Sequence, residues 1–342
     1  MIKVFCKRIL LLVAGYSGVL NLLRFRNRKK IVIFMLHGIV EEKEYPWKRL
    51  HKQCSLTRFE QVLVVLQNYF EFVSLDEAIA MLSGEAPIRS YCAVLTFDDG
   101  YKNNFTSALP CLEKYHIPAV FFIPTGYITS KKKFWFDILD YVVQSDQHET
   151  FHLSLGNSTV VFERKDKRHL QRQFQNFLYR YNKQFQDNDY ELQKKIFDQF
   201  DSIGAQTGDG SFAALDEDPR TSLMSWSEVR KSAQRENIFI GSHTVDHLKL
   251  ATLDSNQIRQ QLEQSRKDIE QNTGKPCRYL CYPNGNFDDN VIRIARECGY
   301  RAAVTTESHL NEVGDDLYRL SRLGFPRRAE KFHILSHIYR GK

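Results

Sequence analysis

The chain has 342 residues, 42% hydrophobic and 26% charged, a balance ordinary for a globular protein. That length admits one large α/β domain with an insertion, or two small domains. The net charge of +7 is concentrated in residues 1–30, where Lys3, Lys7, Arg8, Arg24, Arg26, Arg28, Lys29 and Lys30 stand without an acid; removing those eight from 48 basic residues leaves 40 against 41 acidic ones, which excludes a nucleic-acid groove spread over the fold.

Between those charges, Ile9 to Leu23 is uncharged. As a helix it would span roughly 22 Å, short of a ~30 Å hydrocarbon core. An in-plane membrane helix, a short signal-anchor and an ordinary first helix are the three readings, and membrane association is the favoured one. The seven cysteines (Cys6, Cys54, Cys92, Cys111, Cys277, Cys281, Cys298) form no CxxC pair, and several lie in apolar patterns. They read as free thiols in a reducing compartment, which favours the cytoplasmic side of a membrane.

Ile31 to Leu36 is a continuous apolar run, the first core strand, ending at His37-Gly38. Residues 41–55 read as loop. Thr57 with Glu60 has the pattern of a capping box before a helix carrying Phe59, Val62, Leu63 and Leu66. Phe72 to Leu75 is a short strand, and Asp76 opens a helix that ends near Gly84. Tyr91 to Phe97 is a buried strand, Ser107 to His116 a helix with Pro110 in its first turn, and Ile117 to Ile123 another buried strand. The βα alternation then stops. Residues 127–222, rich in aromatic, Gln, Lys and Arg residues, read as a helical insertion able to cover a site, with an apolar helix starting at Phe134 to Leu139, one or two amphipathic helices over 165–200 and a polar loop from Gly204 to Asp218. Alternation resumes with a capping box at Ser225-Trp226-Ser227-Glu228, a strand at 238–242, a helix from Ser255 to Thr273, a strand at Tyr279–Tyr282, a helix from Asp289 to Cys298 and a strand at Arg301–Thr305. Leu317 to Phe325 is a last strand, and Phe332, Leu335 and Tyr339 mark a terminal helix. There is no internal repeat.

Chemistry gathers at three strand ends. Leu95-Thr96-Phe97-Asp98-Asp99-Gly100-Tyr101 closes a buried strand with two adjacent carboxylates. Such charges are expensive there unless neutralised, as a divalent cation would do. Neighbouring side chains on extended backbone point opposite ways, so Asp98 and Asp99 should do different jobs. Gly241-Ser242-His243-Thr244-Val245-Asp246-His247 follows a second apolar run with two histidines four residues apart, able to converge on one cation from a helical turn or a tight loop. One Asp and two His leave zinc an open position, as a catalytic site requires. Tyr279 to Gly285 is the third end. Three polar strand ends suggest one mouth of a β/α barrel.

Thr96 to Tyr101, His243 to His247 and Tyr282-Pro283-Asn284-Gly285 resemble, in order and separation, successive motifs of the polysaccharide deacetylase family (NodB homology, carbohydrate esterase family 4). The resemblance runs from about Ile31 to Phe325. It implies a distorted (β/α) barrel of seven or eight strands with a helical insertion over residues 31–342, and metal-dependent removal of N-acetyl groups from an amino-sugar glycan or glycolipid. It further implies Asp99, His243 and His247 as ligands to Zn2+ or another divalent ion, Asp98 as general base, and the Tyr101 backbone N–H as an oxyanion donor. Tyr101, Trp226, Tyr282, Pro283 and Asn284 are the candidates for sugar contact. The alternative is a carbohydrate-binding protein on the same fold that has lost catalysis; keeping both aspartates argues against it.

Two positions depart from the family's usual pattern. Cys281 stands where an arginine normally orients the base, so that contact is missing or comes from elsewhere. The usual Leu-x-His source of the general acid has only Leu335-Ser336-His337, in the terminal helix pattern. Members similar to the biofilm poly-N-acetylglucosamine deacetylases take the acid from a histidine after the first strand, and Phe34-Met35-Leu36-His37-Gly38 resembles that element. His37 is favoured over His337.

Overall fold

The computed structural model describes residues 18–43, 45, 49–50, 53–145, 149–155, 158–184, 199, 215 and 218–339. Residues 1–17 and most of 185–217 lie outside the described residues, and with them most of Ile9–Leu23 and of the Gly204–Asp218 loop.

The strands are β1 (Val32–Leu36), β2 (Ile39–Val40), β3 (Cys54–Ser55), β4 (Glu71–Phe72), β5 (Cys92–Phe97), β6 (Ala119–Ile123), β7 (Thr150–Leu155), β8 (Ser158–Glu163), β9 (Ile238–Ser242), β10 (Tyr279–Cys281), β11 (Ala302–Val304) and β12 (Leu323–Gly324). The main sheet is parallel, in the order β11-β10-β9-β6-β5-β1-β12, with β4 added to β5. Leu320 to Gly324 closes it. Leu320 bonds the β11 side, through Leu320 N–H to Ala303 O and Thr305 N–H to Leu320 O, while Leu323 and Gly324 pair with Phe34 and Met35 of β1. The expected strand from Leu317 to Phe325 is therefore a single turn followed by a two-residue strand.

Side-chain alternation divides each strand between two cores. Phe34, Leu95, Phe97, Phe121 and Ile123 pack outward under the helices. Ile33, Val94, Val120, Phe122, Cys281 and Val304 pack inward, with helix Leu75–Leu82 against them. Asp98 continues the inward series of Val94 and Thr96, so its carboxylate enters the barrel above an apolar plug.

Helix starts follow local chemistry. Ser225 with Glu228 forms the capping box expected, and Asp254 with Gln257 forms another. At two helices the cap differs from expectation. Ser55, at the end of β3, caps Leu56–Gln67 in place of Thr57, and Ser74 with Glu77 caps Leu75–Leu82 in place of Asp76. Both serines sit in extended backbone, where a hydroxyl can reach the exposed N–H groups. Within 41–55, read as loop, β3 pairs with β2.

The insertion is not purely helical. Helices Trp135–Ser145 and Lys167–Gln184 enclose an antiparallel hairpin, β7 with β8. Together they share a core of their own that includes Leu139, Val143, Phe151, Phe162, Phe174 and Phe177. Among the described residues no helix is long and apolar enough to cross a membrane, and the six described cysteines are free.

Candidate active site

Register brings the functional side chains together. Leu36 of β1 pairs with Phe97 of β5, and Asp98 N–H donates to Leu36 O, so His37 and Asp98 leave adjacent strands side by side. Ile123 of β6 pairs with Ser242 of β9, and His243 N–H donates to Ile123 O. β6 ends in Pro124-Thr125-Gly126, where a Cβ on Gly126 would meet Val245 O at 2.9 Å. That small residue lets the loop after β9 fold across β6 toward Asp99.

The two histidines converge from a tight loop, not from a helix. Thr244 and His247 have φ of 67° and 52°, left-handed backbone that L residues rarely adopt. Several bonds hold it: His247 N–H to Thr244 Oγ1 at 3.0 Å, and Val245 and Asp246 N–H to Gln261 Oε1 at 3.1 and 2.9 Å. Gln261 also donates to Asp246 at 2.7 Å. Asp99 is left-handed as well, at φ 71°, a conformation aspartate tolerates.

His243 and His247 present Nε2 to Asp99 Oδ1 at 3.5 and 3.4 Å, and all three side chains are buried. His243 Nδ1 lies 2.8 Å from Cys281 O, which can only accept, so Nδ1 carries a proton and Nε2 is the atom turned to Asp99, a donor to it while protonated and a free metal ligand once deprotonated. These spacings match the roughly 3.3 Å edge of a tetrahedron with ~2.0–2.1 Å metal bonds. The donor set, its spacing and the proton fixed on Nδ1 fit a divalent ion. Asp98, His243 and Cys281 also lie within one ion's reach, but Arg322 already fills the space between Asp98 and Cys281. Burial pushes the Asp99 carboxyl up; hydrogen bonds from His243 and His247 and the charge of His37 outweigh it and hold the group well below the usual range.

Asp98 has a different partner. Arg322 grips it with both guanidinium nitrogens, Nη1 to Oδ1 at 2.7 Å and Nη2 to Oδ2 at 2.8 Å. The same guanidinium donates to Thr305 O, Thr96 Oγ1 and Cys281 Sγ at 2.8, 3.0 and 3.1 Å. Arg322 is fully buried. Burial raises the Asp98 carboxyl, and Arg322, with His243 and His37, more than offsets that and lowers it. The contact that Cys281 fails to make thus comes from the closing segment, and the small thiol at 281 leaves the room for it. Sequence reasoning missed Arg322; its one signal was a lone charge inside the apolar run Leu320-Ser321-Arg322-Leu323.

His37 Nε2 stands 3.9 Å from Asp99 Oδ2 with its side chain partly open to solvent. His337 lies on helix Lys331–Tyr339, exposed, with Nε2 2.6 Å from Gly324 O, and takes no part in the cavity. A cleft of about 410 Å³ opens over the aspartates. Met35, His37, Tyr282, Asn284 and Thr306 of the barrel line it, and Trp135, Phe136, Leu178 and Tyr179 of the insertion form its other wall. Gly285 follows Asn284 at φ 65°, where a Cβ would meet Thr306 Oγ1 at 2.0 Å.

The expected sugar contacts divide. Tyr282 and Asn284 line the cleft, while Pro283 is buried in the turn between them and outside the lining. Trp226 is also outside it, packed on the core with its indole N–H donated to Thr129 Oγ1 at 3.0 Å; a helix-start position in the outer layer keeps it there. The Tyr101 ring is buried and donates its hydroxyl to Asp137 Oδ2 at 2.9 Å. Its backbone is a separate matter. Tyr101 pairs with Leu223 through bonds from Lys102 N–H to Ser222 O and Met224 N–H to Gly100 O, which leave the Tyr101 N–H outside the pairing.

The family model for polysaccharide deacetylases matches residues 86–197 and 202–303. The chain belongs to the polysaccharide deacetylase family. The matched span holds both aspartates and the two histidines that face Asp99, but neither His37 nor Arg322. The Bacillus subtilis (strain 168) protein YxkH, named for the same family, is 21% identical over 256 residues. That match covers 75% of this chain, and the chain spans 59% of the relative's length. The fold is similar to the Streptococcus pyogenes deacetylase PplD in complex with acetate, with TM-score 0.54, 16% identity, and 86% of this chain and 91% of that one covered. It is also similar to IcaB from Ammonifex degensii, with TM-score 0.53, 17% identity, and 86% and 90% covered. These solved structures share the distorted barrel; at such identity they speak for the fold alone.

Proposed function

We propose that this polysaccharide deacetylase family member hydrolyses the N-acetyl amide of an amino-sugar glycan or glycolipid, with Asp99, His243 and His247 holding a divalent metal. The observation that carries this reading is the divergence of two adjacent carboxylates, Asp99 turned to the histidine pair and Asp98 to Arg322 and the cleft. A divalent ion such as zinc, when bound, supplies Lewis acidity to the amide carbonyl and acidifies water. The protein's part is positional and protolytic. Asp98, kept ionised and oriented by Arg322, accepts the proton of the attacking water. The Tyr101 N–H stands ready for the developing oxyanion. An amine does not leave as an anion near neutral pH, so His37 delivers a proton to the departing nitrogen. Tyr282 and Asn284, facing Trp135, Phe136 and Tyr179, offer a polar floor and an aromatic wall of the kind sugars use.

The test is acetate release from N-acetylated oligosaccharides and lipid-linked sugars, read beside metal content. Asp98→Asn should retain stoichiometric zinc and lose turnover by roughly 10²–10⁴. Asp99→Asn should lose the metal itself. Equal metal affinity in the two variants would refute the division of labour, and sugar binding without acetate release by the metal-loaded protein would refute the activity.

A further inference from the structure

Seven large apolar side chains are exposed among the described residues, and three of them, Val19, Leu22 and Phe25, lie at intervals of three on the eight-residue helix Val19–Arg26. They are 48%, 67% and 56% exposed. Leu20 and Leu23 on the other side pack into the outer core, next to helix Lys331–Tyr339. The helix is therefore apolar on both sides, and among the described residues only one side is covered by protein. An apolar stripe left open on an otherwise polar surface marks a contact with something outside the fold.

The charges around the stripe say what that is. Arg26 and Lys29 are exposed beside it, and the Arg28 guanidinium lies over the Phe25 ring at 4.1 Å. Lys331 of the neighbouring helix and Arg24 both stand over the Tyr69 ring, at 5.2 and 5.4 Å. Of the acids in this area, Glu312 is taken up by Lys30 at 3.0 Å. The helix also lies within the one stretch of the chain, residues 1–30, that has eight basic residues and no acid. A nucleic acid would match the charge and waste the stripe; a neutral apolar partner would match the stripe and waste the charge. An anionic bilayer surface takes both, apolar side chains at the acyl boundary and basic ones among the headgroups.

We infer that the Val19–Leu22–Phe25 face of this helix docks the protein flat on an anionic lipid surface. The helix lies on the bilayer and does not cross it, being eight residues long. The inference is independent of the activity proposed above, since no cleft residue takes part.

The test uses the full chain and sedimentation with phosphatidylcholine vesicles, with and without one-third phosphatidylglycerol. The wild type should pellet with the anionic vesicles and far less with the neutral ones. Leu22→Glu combined with Phe25→Glu should weaken that binding by roughly tenfold or more, since it both removes apolar contact and adds like charge. Arg26→Gln with Lys29→Gln should weaken it severalfold at low salt and little at high salt. Val64→Glu, at an exposed apolar position on another helix, should leave it unchanged. Wild-type protein that ignores anionic vesicles would overturn the proposal. So would a Leu22/Phe25 variant that binds them as well as wild type, or one whose only change is a shift from dimer to monomer in solution, which would make the stripe a contact between copies.

Discussion

Two of the buried arginine–aspartate pairs, one in the barrel and one at the foot of the insertion, behave differently. In the barrel, Arg322 serves one carboxylate, Asp98, with two parallel bonds and spends its other donors on Thr96, Thr305 and Cys281. The Asp98 carboxyl is lowered. At the foot of the insertion, Arg49 bonds Asp137 and the carbonyl of Arg220, while its Nε stays 3.9 Å from Asp140 and makes no hydrogen bond. Two acids share one guanidinium there. Burial raises Asp137 to about 7, against the pull of Arg49 and the Tyr101 hydroxyl, with Asp140 adding to the rise. A saturated pair keeps a carboxylate charged and aimed, while an under-served pair leaves one near neutrality. The first arrangement suits a reacting group. The second suits a fastener, and it fastens the insertion to the backbone next to Asp99, where Phe134 also meets the His247 ring edge-on at 5.2 Å.

If the barrel side does the chemistry and the insertion side only holds a wall in place, substitutions should sort accordingly. The largest effect belongs to His37→Ala. Turnover of the N-acetyl substrate should fall by roughly 10²–10⁴ with metal content unchanged. Phenyl acetates, whose leaving group needs no proton, should be hydrolysed nearly as before. Normal N-acetyl turnover in this variant would move the acid elsewhere.

Arg322→Met comes next. Removing one partner of a buried pair should cost about 3–5 kcal/mol of stability and most of the turnover. It should also reverse a pH dependence. With Asp98 lowered below its ordinary 3.8, its contribution in the wild type is present above that value and lost as pH falls through the lowered one. Without Arg322 burial dominates, so the variant should lose stability as pH rises above about 4. Urea unfolding at several pH values decides between the two slopes.

Asp137→Asn should have the smallest effect, about 1–2 kcal/mol, because the carboxyl it replaces is already partly neutral near pH 7. A raised carboxyl contributes stability that is present below 3.8 and lost as pH rises through about 7. The Asn variant should flatten that loss. Its KM should rise more than its kcat falls. A kcat effect as large as that of His37→Ala would show that the insertion is part of the chemistry.

Much of the site is legible in the chain because barrel chemistry sits at strand ends, and strand ends are local. Buried runs that stop at polar residues point to Asp98, Asp99, His243 and His247 once the two stretches are taken together, the family resemblance supplies their roles, and β1 with His37 is found the same way. The insertion is harder to read. Its helices show in the spacing of apolar residues, but β7 and β8 are stabilised by Phe151 and Phe162 packing on those helices, a context that periodicity within the strand does not carry. Trp226 misled because an aromatic residue near a motif looks the same in sequence whether its indole meets a sugar or Thr129.

By itself the sequence determined the alternation of strands and helices, the paired carboxylates, the histidine pair and the confinement of positive charge to residues 1–30. Only the tertiary structure decided which arginine orients Asp98. Arg322 and Asp98 are 224 residues apart, and they meet because Leu320 to Gly324 closes the ring between β11 and β1. Strand pairing that completes a barrel is a long-range event, so the side chain it carries inward takes its role from closure and not from its neighbours in the chain.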